Sequence, residues 1–576
     1  MASTLPRLPI FEAIANHDPQ STAVIHSVSG RRFQYGELLK DVAEGKDRLV
    51  NEAGGSSVEG QRIAFLVENS YDYESIVTLL SILGAHSIAL PLSPAFPANE
   101  LQYIMDHSQA SMLLSSAKFE SKALEVLKHG LEGKPKLVKL EKKLGGAAQS
   151  MVTLEGPTDG NGGMMLYTSG TTNRPKGVLL PQSVLTAQAN SLVTAWNYTP
   201  KDHLLHVLPL HHIHGTVNAI LAPLFAGSTI EFLFPFNASS TWSRFASPFL
   251  PSPSTTSPSP SSTSPITFFT VVPTVYNRLL STFKDLTPEV QTAAKTAISP
   301  AHLRLNISGS AALPTPTKKA WSDLSSGNIL LERYGMTEVG MALSCGLSNN
   351  DRVDGSVGWA LPGVEVRLVD TETNEVIQPG EELEKDGRER DGEIQLRGPT
   401  IFKEYWRNEK ATLAEHVNGD DGKGRWFKTG DVAVRRAVPS AGQSSQDWAR
   451  GPMYFIRGRK SADIIKSGGE KVSALEVERE LLSLPQVAEA AVVAVPSGKW
   501  GQKVGAVIIL KEDAEGRKGK WGPMDMRRAL KERLANYKIP QVMKVVDDIP
   551  KNAMGKINKK QLVKQVFAEE ASGDEM

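Results

Sequence analysis

From Thr22 to about Leu250, short apolar runs alternate with segments in which apolar residues recur at helical spacing. Clear examples are Arg62–Val67, Tyr73–Leu83, His86–Pro91 and Leu185–Trp196. Strands that alternate with helices are typical of layered α/β proteins. The pattern therefore predicts an α/β fold for this part of the chain.

The periodic pattern stops at Ser247–Pro265, which reads SPFLPSPSTTSPSPSSTSP. A Ser/Thr/Pro segment of this kind has almost no apolar surface to bury, so we expect a disordered surface insertion at 247–265. A phosphorylated regulatory tract is the alternative. Beyond Ile266 the pattern resumes, and Gly355–Val369 and Gly392–Gly398 predict strands of a more β-rich part, before a polar loop at Ser440–Arg450.

A domain boundary is expected near Arg457–Ala462, because the segments that follow have a helix–strand pattern of their own. They are Ala474–Leu484, Ala488–Val495, Val504–Leu510 and Met524–Ala535. We therefore expect a large layered N-terminal domain over residues 1–457, with two α/β sheets and a β-rich part. Residues 458–576 are expected to form a small, mobile C-terminal α+β domain.

Composition sets limits on partners and location. The 576 residues include 40% apolar and 22% charged side chains, which is typical of a soluble globular protein. The net charge of +1 gives no reason to expect nucleic acid as a partner, and no apolar run is long enough to predict a membrane span. The single cysteine, Cys345, cannot form an intramolecular disulfide and is expected to be a small buried hydrophobe. Since neither end carries a clear targeting signal, we expect the cytoplasm, with mitochondrial or peroxisomal location left open.

The segment Tyr167–Val178 reads YTSGTTNRPKGV and concentrates groups that bind phosphate. Hydroxyls, backbone N–H groups and cations suit a polyphosphate, and here they come from Thr168, Ser169, Gly170, Thr171, Thr172, Arg174 and Lys176. The flanking apolar runs Met164–Tyr167 and Val178–Leu180 predict two strands. A P-loop has Gly directly before its Lys and a helix after it, whereas Pro175 precedes this lysine. The loop therefore predicts a nucleoside triphosphate held in another way, with a solvated turn as the alternative.

Seven segments in order give the chain its family resemblance. They are YTSGTTNRPKG (Tyr167–Gly177), LPLHHIHG (Leu208–Gly215), SGSAAL (Ser308–Leu313), ERYGMTE (Glu332–Glu338), TGD (Thr429–Asp431), GRKSADIIKSGGEKV (Gly458–Val472) and NAMGKINK (Asn552–Lys559). The chain resembles the adenylate-forming, AMP-binding enzymes, which include acyl-CoA synthetases, the adenylation domains of peptide synthetases and firefly luciferase. The resemblance implies an acid–CoA ligase that uses ATP, Mg²⁺ and coenzyme A.

The resemblance also implies roles for residues of the ATP site. Lys176 would follow the departing pyrophosphate, and Glu338 with Thr171 would hold Mg²⁺. The nucleotide would be bound by Thr168, Ser169, Gly170, Thr171, Thr172, Lys176, Gly309, Ser310, Ala311, Tyr334, Gly335, Met336, Thr337, Asp431, Arg459 and Lys556. Within that set Tyr334 would stack on adenine, and Gly309–Ala311 would pass close beneath the base, where bulky side chains could not fit. Asp431 would accept hydrogen bonds from the ribose hydroxyls. The residue-level alternatives are an ordinary helix-start carboxylate for Glu338 and a core aromatic for Tyr334.

Two half-reactions follow from the same resemblance. Lys556 would stabilise the charge that develops as the carboxylate attacks the α-phosphate, which makes it a catalytic residue together with Lys176, Glu338 and His212. The C-terminal domain would then swing, and Lys466, Gly468 and Gly469 would line the tunnel for the CoA thiol. The expected hinge position holds Ala462 where the family commonly has Asp or Lys.

The acid substrate is indicated by two arginines and two histidines near the expected acyl pocket. Arg278 and Arg333 are suited to bidentate carboxylate recognition, and His212 and His214 would lie opposite them. If both guanidiniums face the pocket, the substrate should carry a second carboxylate. The segments ERYGMTE, VVPTVYNRL and SGGEKVSALEVE together look like the malonyl-CoA synthetase branch, so the resemblance implies malonate or methylmalonate as the acid. The alternatives are a surface arginine at position 278 and a core histidine at position 212.

Three other functions remain open at this point. The first is a short- or medium-chain or oxalate CoA ligase, and the second is a luciferase-like oxygenase that uses the same adenylate. The third is a non-catalytic nucleotide-binding relative, which Lys176, Glu338, Asp431 and Lys556 together argue against. Twenty residues follow Lys556, too few for a carrier domain, so free CoA is the expected thiol acceptor.

Overall fold

The structure is a computed structural model. It describes residues 4–67, 73–128, 130–143, 145, 152–156, 159–168, 174–251, 264–498, 500–511, 521–551 and 557–568. Its strands are β1 Thr4–Pro6, β2 Thr22–His26, β3 Arg31–Gln34, β4 Arg62–Leu66, β5 Ile88–Pro91, β6 Met112–Ser116, β7 Lys136–Leu140, β8 Thr153–Glu155, β9 Gly163–Thr168, β10 Lys176–Pro181, β11 His203–His206, β12 Thr229–Phe232, β13 Phe268–Val271, β14 Leu305–Gly309, β15 Leu331–Met336, β16 Gly340–Ser344, β17 Ser356–Ala360, β18 Glu365–Asp370, β19 Val376–Ile377, β20 Gly392–Arg397, β21 Glu404–Tyr405, β22 His416–Asn418, β23 Arg425–Arg436, β24 Met453–Arg459, β25 Ile464–Ser467, β26 Glu470–Ser473, β27 Val487–Ser497, β28 Gly501–Leu510 and β29 Val542–Val545.

The α-helices are α1 Pro9–Asn16, α2 Tyr35–Glu52, α3 Tyr73–Gly84, α4 Ala98–Ser108, α5 Glu120–Leu127, α6 Gln182–Ala195, α7 Ala222–Ala226, α8 Ala238–Ala246, α9 Pro273–Thr282, α10 Pro288–Ile298, α11 Thr315–Leu324, α12 Glu409–Ala414, α13 Ala474–Leu482, α14 Pro523–Leu530 and α15 Lys559–Val566. A π-helical segment, His214–Leu221, runs directly into α7. Among the described helices, none has both the length and the apolar composition that crossing a bilayer needs.

Two large sheets organise the first part of the chain. The seven-stranded sheet has the order β21-β10-β9-β5-β4-β6-β7, and a fifteen-stranded sheet runs from β19 to β3 through β23, β16, β15, β14 and β13. Strands β11 to β15 are parallel to one another in the second sheet, and β16 pairs with β15 in the antiparallel direction. The α/β part and the β-rich part of the prediction are thus joined in one continuous sheet.

Alternating strand residues supply separate cores on the two faces of each sheet. Ile63 faces the central core between the two large sheets, whereas Ala64 packs with α4 and α5 on the outer face. Leu204 likewise faces the central core and Leu205 packs with α8, α9 and α10. Because α3 lies between the sheets, every one of its residues is buried. The predicted layered α/β architecture is confirmed.

A separate five-stranded sheet, β25 to β29, forms the C-terminal part with cores on both of its faces. The predicted helix Ala474–Leu484 is α13, and the predicted strands Ala488–Val495 and Val504–Leu510 are β27 and β28. The boundary at residue 457 stays a prediction. Of the predicted insertion, residues 252–263 lie outside the described residues, and Ser247–Phe249 forms a short 3₁₀ helix.

Candidate active site

The phosphate segment is carried by a β-hairpin. Strands β9 and β10 pair antiparallel with Lys176 opposite Thr168, as the flanking apolar runs predicted. The Thr168 hydroxyl donates to the Lys176 carbonyl at 3.5 Å. Ser169, Gly170, Thr171 and Thr172 lie outside the described residues. The hairpin therefore fixes both ends of the predicted phosphate loop next to each other.

Glu338 lies in the turn between β15 and β16 and is buried, which excludes the helix-start alternative. The hydroxyl of Tyr405 donates to its Oε1 at 2.9 Å, and the Lys176 ammonium stands 3.9 Å from the centre of the Tyr405 ring. Burial raises the pKa of Glu338, while the Tyr405 hydrogen bond and the charge of Lys176 oppose that rise. Burial and the nearby carboxylate raise the pKa of Tyr405, so its hydroxyl stays a donor. Sequence reasoning missed Tyr405.

The surroundings of Glu338 suit Mg²⁺ better than a cation whose ligands must all come from the protein. Within the described ranges, no three His, Cys, Asp or Glu side chains come together in a way that could hold a metal ion. Mg²⁺ commonly takes one or two protein carboxylates, keeps several waters and binds substrate phosphates. One buried carboxylate beside the hairpin that carries the predicted phosphate loop matches that pattern.

At the expected nucleotide end of the site, side chains from three strands meet: Tyr334, Asp431 and Arg459. Asp431 on β23 is paired with Arg459 at the end of β24, and the Arg459 Nε lies 2.9 Å from the Asp431 Oδ1. The hydroxyl of Tyr334 on β15 donates to the other oxygen of Asp431 at 2.6 Å. The predicted ribose and adenine residues are therefore brought together, although their roles stay predictions. Tyr334, Gly335, Met336 and Thr337 are all half-buried along one stretch.

The expected acyl end of the site contains Arg333, which is 3% exposed. Its Nη2 donates to the His214 Nδ1 at 2.5 Å and to the Ser310 hydroxyl at 3.2 Å. Burial lowers the pKa of Arg333 to about 10, so the guanidinium is still charged at neutral pH. Burial, then the charge of Arg333, holds the pKa of His214 well below its usual range.

Gly309 ends β14 directly beside this guanidinium. A Cβ atom at Gly309 would lie 2.5 Å from the Arg333 Nε, closer than any real contact. Ser310 follows with a φ of 68°, and both Ser310 and Ala311 are exposed. Sequence reasoning assigned this glycine to the adenine base, but in the structure the atoms nearest to it belong to the arginine.

Arg278 and His212 are less buried than Arg333 and His214. Arg278 lies on the exposed face of α9, because that helix buries Val275, Tyr276 and Leu279. Within the described part of the chain, its side chain forms no hydrogen bond or ion pair. His212 is half-buried, and its ring centre is 4.1 Å from that of His211. The predicted convergence of Arg278 with Arg333 stays a prediction.

The C-terminal part contributes a hairpin, β25 and β26, whose turn holds Gly468 and Gly469 at φ of 59° and 88°. Lys466 on the same hairpin is exposed, and the Gly468 N–H donates to the Trp500 carbonyl at 3.0 Å. Lys556 lies outside the described residues. Ala462, the expected hinge, sits in a turn in which its N–H donates to the Arg459 carbonyl at 3.1 Å.

The chain is similar to known proteins over nearly its whole length. Residues 11–406 match the model of the AMP-binding enzyme family, and residues 476–556 match that of the AMP-binding enzyme C-terminal domain. A CoA ligase of Gibberella moniliformis is 54% identical over 587 residues, covering 99% of this chain and 96% of that protein. The human mitochondrial malonate–CoA ligase ACSF3 is 38% identical over 578 residues, covering 96% of this chain and 92% of that protein. The crystal structure of ATP-bound MatB from Rhodopseudomonas palustris is similar with a TM-score of 0.76 and 29% identity, covering all of both chains.

Proposed function

Because the chain belongs to the AMP-binding enzyme family, we propose that it joins malonate or methylmalonate to coenzyme A and converts ATP to AMP and pyrophosphate. The relatives named malonate–CoA ligase support this choice of acid. The observation that carries it is the buried guanidinium of Arg333. The chain is an acyl-CoA synthetase, and ATP, Mg²⁺ and CoA are its cofactors.

Arg333 needs an anion that the described residues do not supply. Its partners there are the neutral His214 ring and the Ser310 hydroxyl, and no acidic side chain of the described residues pairs with it. A buried charge without a counter-charge is costly. A carboxylate that reacts at phosphorus cannot also serve as that counter-charge. A second carboxylate on the same small acid can, which favours a dicarboxylate over acetate or a fatty acid.

In the first half-reaction, one carboxylate oxygen of the acid attacks the α-phosphorus of ATP. The bond from that phosphorus to the bridging oxygen of the β-phosphate breaks, and pyrophosphate leaves. We place Lys176 on the leaving pyrophosphate and Lys556 at the attacking carboxylate, where negative charge redistributes. Mg²⁺, held by Glu338 and Thr171, would neutralise phosphate charge. Tyr334, Asp431 and Arg459 would hold the nucleoside so that the reacting atoms stay in line.

In the second half-reaction, the sulfur of CoA attacks the acyl carbon of the adenylate. The thiol gives up its proton, the bond from the acyl carbon to the AMP oxygen breaks, and AMP leaves. We place Lys466, Gly468 and Gly469 beside the pantetheine arm, because a turn of two glycines lets a thin ligand approach the backbone closely. Arg278 and His212 are proposed to border the acid at the open side of the pocket.

The test is a substrate panel with purified full-length protein. CoA thioester and AMP are measured for malonate, methylmalonate, acetate, oxalate and octanoate. Malonate or methylmalonate should give the highest kcat/KM, and AMP should form in equal amount to the thioester. A higher kcat/KM for octanoate, acetate or oxalate would refute the dicarboxylate assignment and favour the corresponding alternative. Light emission with luciferin would favour the oxygenase alternative.

Two finer points belong to the same proposal. We propose free CoA, rather than a carrier domain, as the thiol acceptor, which the relatives named CoA ligases support. We propose a cytoplasmic or a mitochondrial location, the latter because mammalian relatives are named mitochondrial. Fractionation of cells, followed by detection of the protein, distinguishes the two.

A further inference from the structure

We propose that Tyr405 is a positioning residue for the adenylation step. Its hydroxyl orients the Glu338 carboxylate towards the Mg²⁺ that accompanies ATP, and its ring holds Lys176 beside the phosphates. The inference rests on the proposed function, because it deepens the account of the same ATP site. It is supported by the contacts that the segment Phe402–Trp406 makes with Lys176–Val178 and with Glu338.

Backbone pairing fixes Tyr405 between the two groups that it serves. Strand β21 pairs with β10, with Tyr405 opposite Val178, and the Trp406 N–H donates to the Gly177 carbonyl at 2.7 Å. At the other end of the segment, the Phe402 N–H donates to the Glu338 carbonyl at 2.8 Å. The segment therefore ties the strand that carries Lys176 to the turn that carries Glu338. The backbone of the strand cannot move relative to that of the turn without breaking one of these hydrogen bonds.

The hydroxyl of Tyr405 sets the orientation of the carboxylate. Tyr405 is 4% exposed and Glu338 is 5% exposed, so water does not compete freely for the bond to the Glu338 Oε1 at 2.9 Å. A carboxylate offers about four lone-pair positions on two oxygens, so it can keep this hydrogen bond and still bind a cation. A hydrogen bond that orients a metal ligand typically contributes about 10- to 100-fold to metal affinity.

The ring of Tyr405 provides a resting place for the Lys176 ammonium at 3.9 Å from its centre. An ammonium carries three N–H donors, so it can donate to a phosphate oxygen while its other side stays on the ring face. The ring therefore keeps the long lysine side chain on the phosphate side of the hairpin both before and after ATP binds. Less side-chain freedom is then lost on binding.

A purely structural tyrosine is the competing explanation. Tyr405 does pack against Phe402, with ring centres 4.8 Å apart, and its N–H donates to the Thr412 hydroxyl at 3.0 Å. Loss of packing would weaken every ligand interaction together. Loss of a positioning bond would weaken only what depends on Mg²⁺. The two explanations therefore differ in the dependence of ATP binding on the metal.

The experiment measures ATP affinity by calorimetry with the full-length protein, in excess Mg²⁺ and in EDTA. Tyr405→Phe keeps the ring and removes the hydroxyl. Its gain in ATP affinity from Mg²⁺ should fall by about tenfold relative to wild type, while its affinity in EDTA stays within about twofold. Tyr405→Leu removes the ring as well as the hydroxyl. Besides the smaller Mg²⁺ effect, its ATP affinity in EDTA should fall by about fivefold relative to wild type.

Tyr167→Phe is the matched control. Tyr167 lies on the same hairpin, and its hydroxyl bonds to the His107 Nδ1 at 2.8 Å, so the variant loses a comparable hydrogen bond away from Glu338. The control should keep the full Mg²⁺ effect. An undiminished Mg²⁺ effect in Tyr405→Phe would refute the inference, as would an equal loss of affinity in both conditions. If wild-type protein itself gains no ATP affinity from Mg²⁺, the proposed function fails instead.

Discussion

The guanidinium of Arg333 donates to the Nδ1 atom of His214 at 2.5 Å, and this bond fixes the state of the histidine. Because a guanidinium has no acceptor, Nδ1 must carry the lone pair and Nε2 the proton. The Nε2 atom lies 3.2 Å from the Thr270 carbonyl, a suitable acceptor for that proton. His214 is therefore neutral and oriented, and it holds Arg333 in place without neutralising its charge.

Replacing Arg333 with lysine should reduce malonate use selectively. Lysine keeps a positive charge but lacks the planar fork that can contact His214, Ser310 and a carboxylate together. We expect kcat/KM for malonate to fall by about 100-fold, which corresponds to the loss of a charged hydrogen bond. The KM for ATP should stay within about threefold, since we place Arg333 at the acyl end of the site. Steady-state kinetics with each substrate varied in turn checks both values, and equal losses for ATP and malonate would contradict the assignment.

Gly309→Ala distinguishes two explanations for why a glycine occupies this position. If the glycine makes room for the Arg333 guanidinium, the added methyl group should displace it and raise the KM for malonate more than the KM for ATP, by about tenfold. If the glycine serves the adenine base, as the sequence resemblance implies, the KM for ATP should rise more. Initial-rate measurements with both substrates decide between these outcomes, and a thermal melt controls for misfolding.

Buried histidines on β11 and in the segment after it predict that the protein loses stability in mild acid. Burial lowers the pKa of His206 to about 4, and a histidine in the unfolded chain has a pKa of about 6.5. Between these values the unfolded chain binds more protons than the folded one, so stability falls as pH falls from about 6.5 and stops falling below about 4. At a slope of about 1.4 kcal/mol per pH unit, His206 accounts for about 2 kcal/mol of the loss down to pH about 5.

His206→Leu tests this contribution, because leucine is apolar and keeps most of the buried volume. Urea unfolding of wild type and variant is compared at about pH 7.5 and about pH 5. The decrease in unfolding free energy should be smaller in the variant by about 2 kcal/mol. The same decrease in both proteins would show that His206 does not contribute. The pKa values of His203, His211 and His214 are also lowered by burial, so part of the acid sensitivity should remain.

How much of the site could be predicted depended on whether each contact is local in sequence. The strands Met164–Tyr167 and Val178–Leu180 were predicted correctly, since their apolar runs flank a polar loop within one short segment. Tyr405 could not be predicted, because its partner Glu338 is 67 residues away and only the pairing of β21 with β10 brings it there. No local pattern indicates that pairing.

Arg278 and Arg333 show that the sequence alone also does not predict which way a side chain points. Sequence placed Arg278 and Arg333 at one pocket, yet which face of a helix or strand is buried depends on what packs against it. Arg333 is buried on a central strand whose other residues are buried or half-buried, whereas α9 leaves Arg278 on its exposed face. The layered fold could be predicted, because hydrophobic periodicity extends over many residues in each helix and strand and does not depend on the direction of one side chain.

Lys559 should position the segment that carries Lys556. It follows that lysine by three residues, and its ammonium lies 2.5 Å from the Asp463 Oδ1 and 2.7 Å from the Glu478 Oε1. The other oxygen of Asp463 accepts the Arg459 N–H at 3.0 Å, next to the expected hinge. Lys559 thus ties the start of α15 to the segment around which the C-terminal part is expected to turn. Removing it leaves two half-buried carboxylates without the lysine cation that joins them.

Lys559→Met should therefore impair the first half-reaction more than the second. If Lys556 acts only in adenylation, Lys556→Ala abolishes malonyl-adenylate formation but spares thioester formation from supplied adenylate. Lys559→Met should show the same selectivity with a smaller loss, about tenfold, since Lys556 is present but less well placed. Lys560→Met is the matched control, because Lys560 is the exposed neighbour and should leave both rates unchanged. Single-turnover measurements of each half-reaction provide the comparison, and an equal loss of both rates in Lys559→Met would indicate a structural role alone.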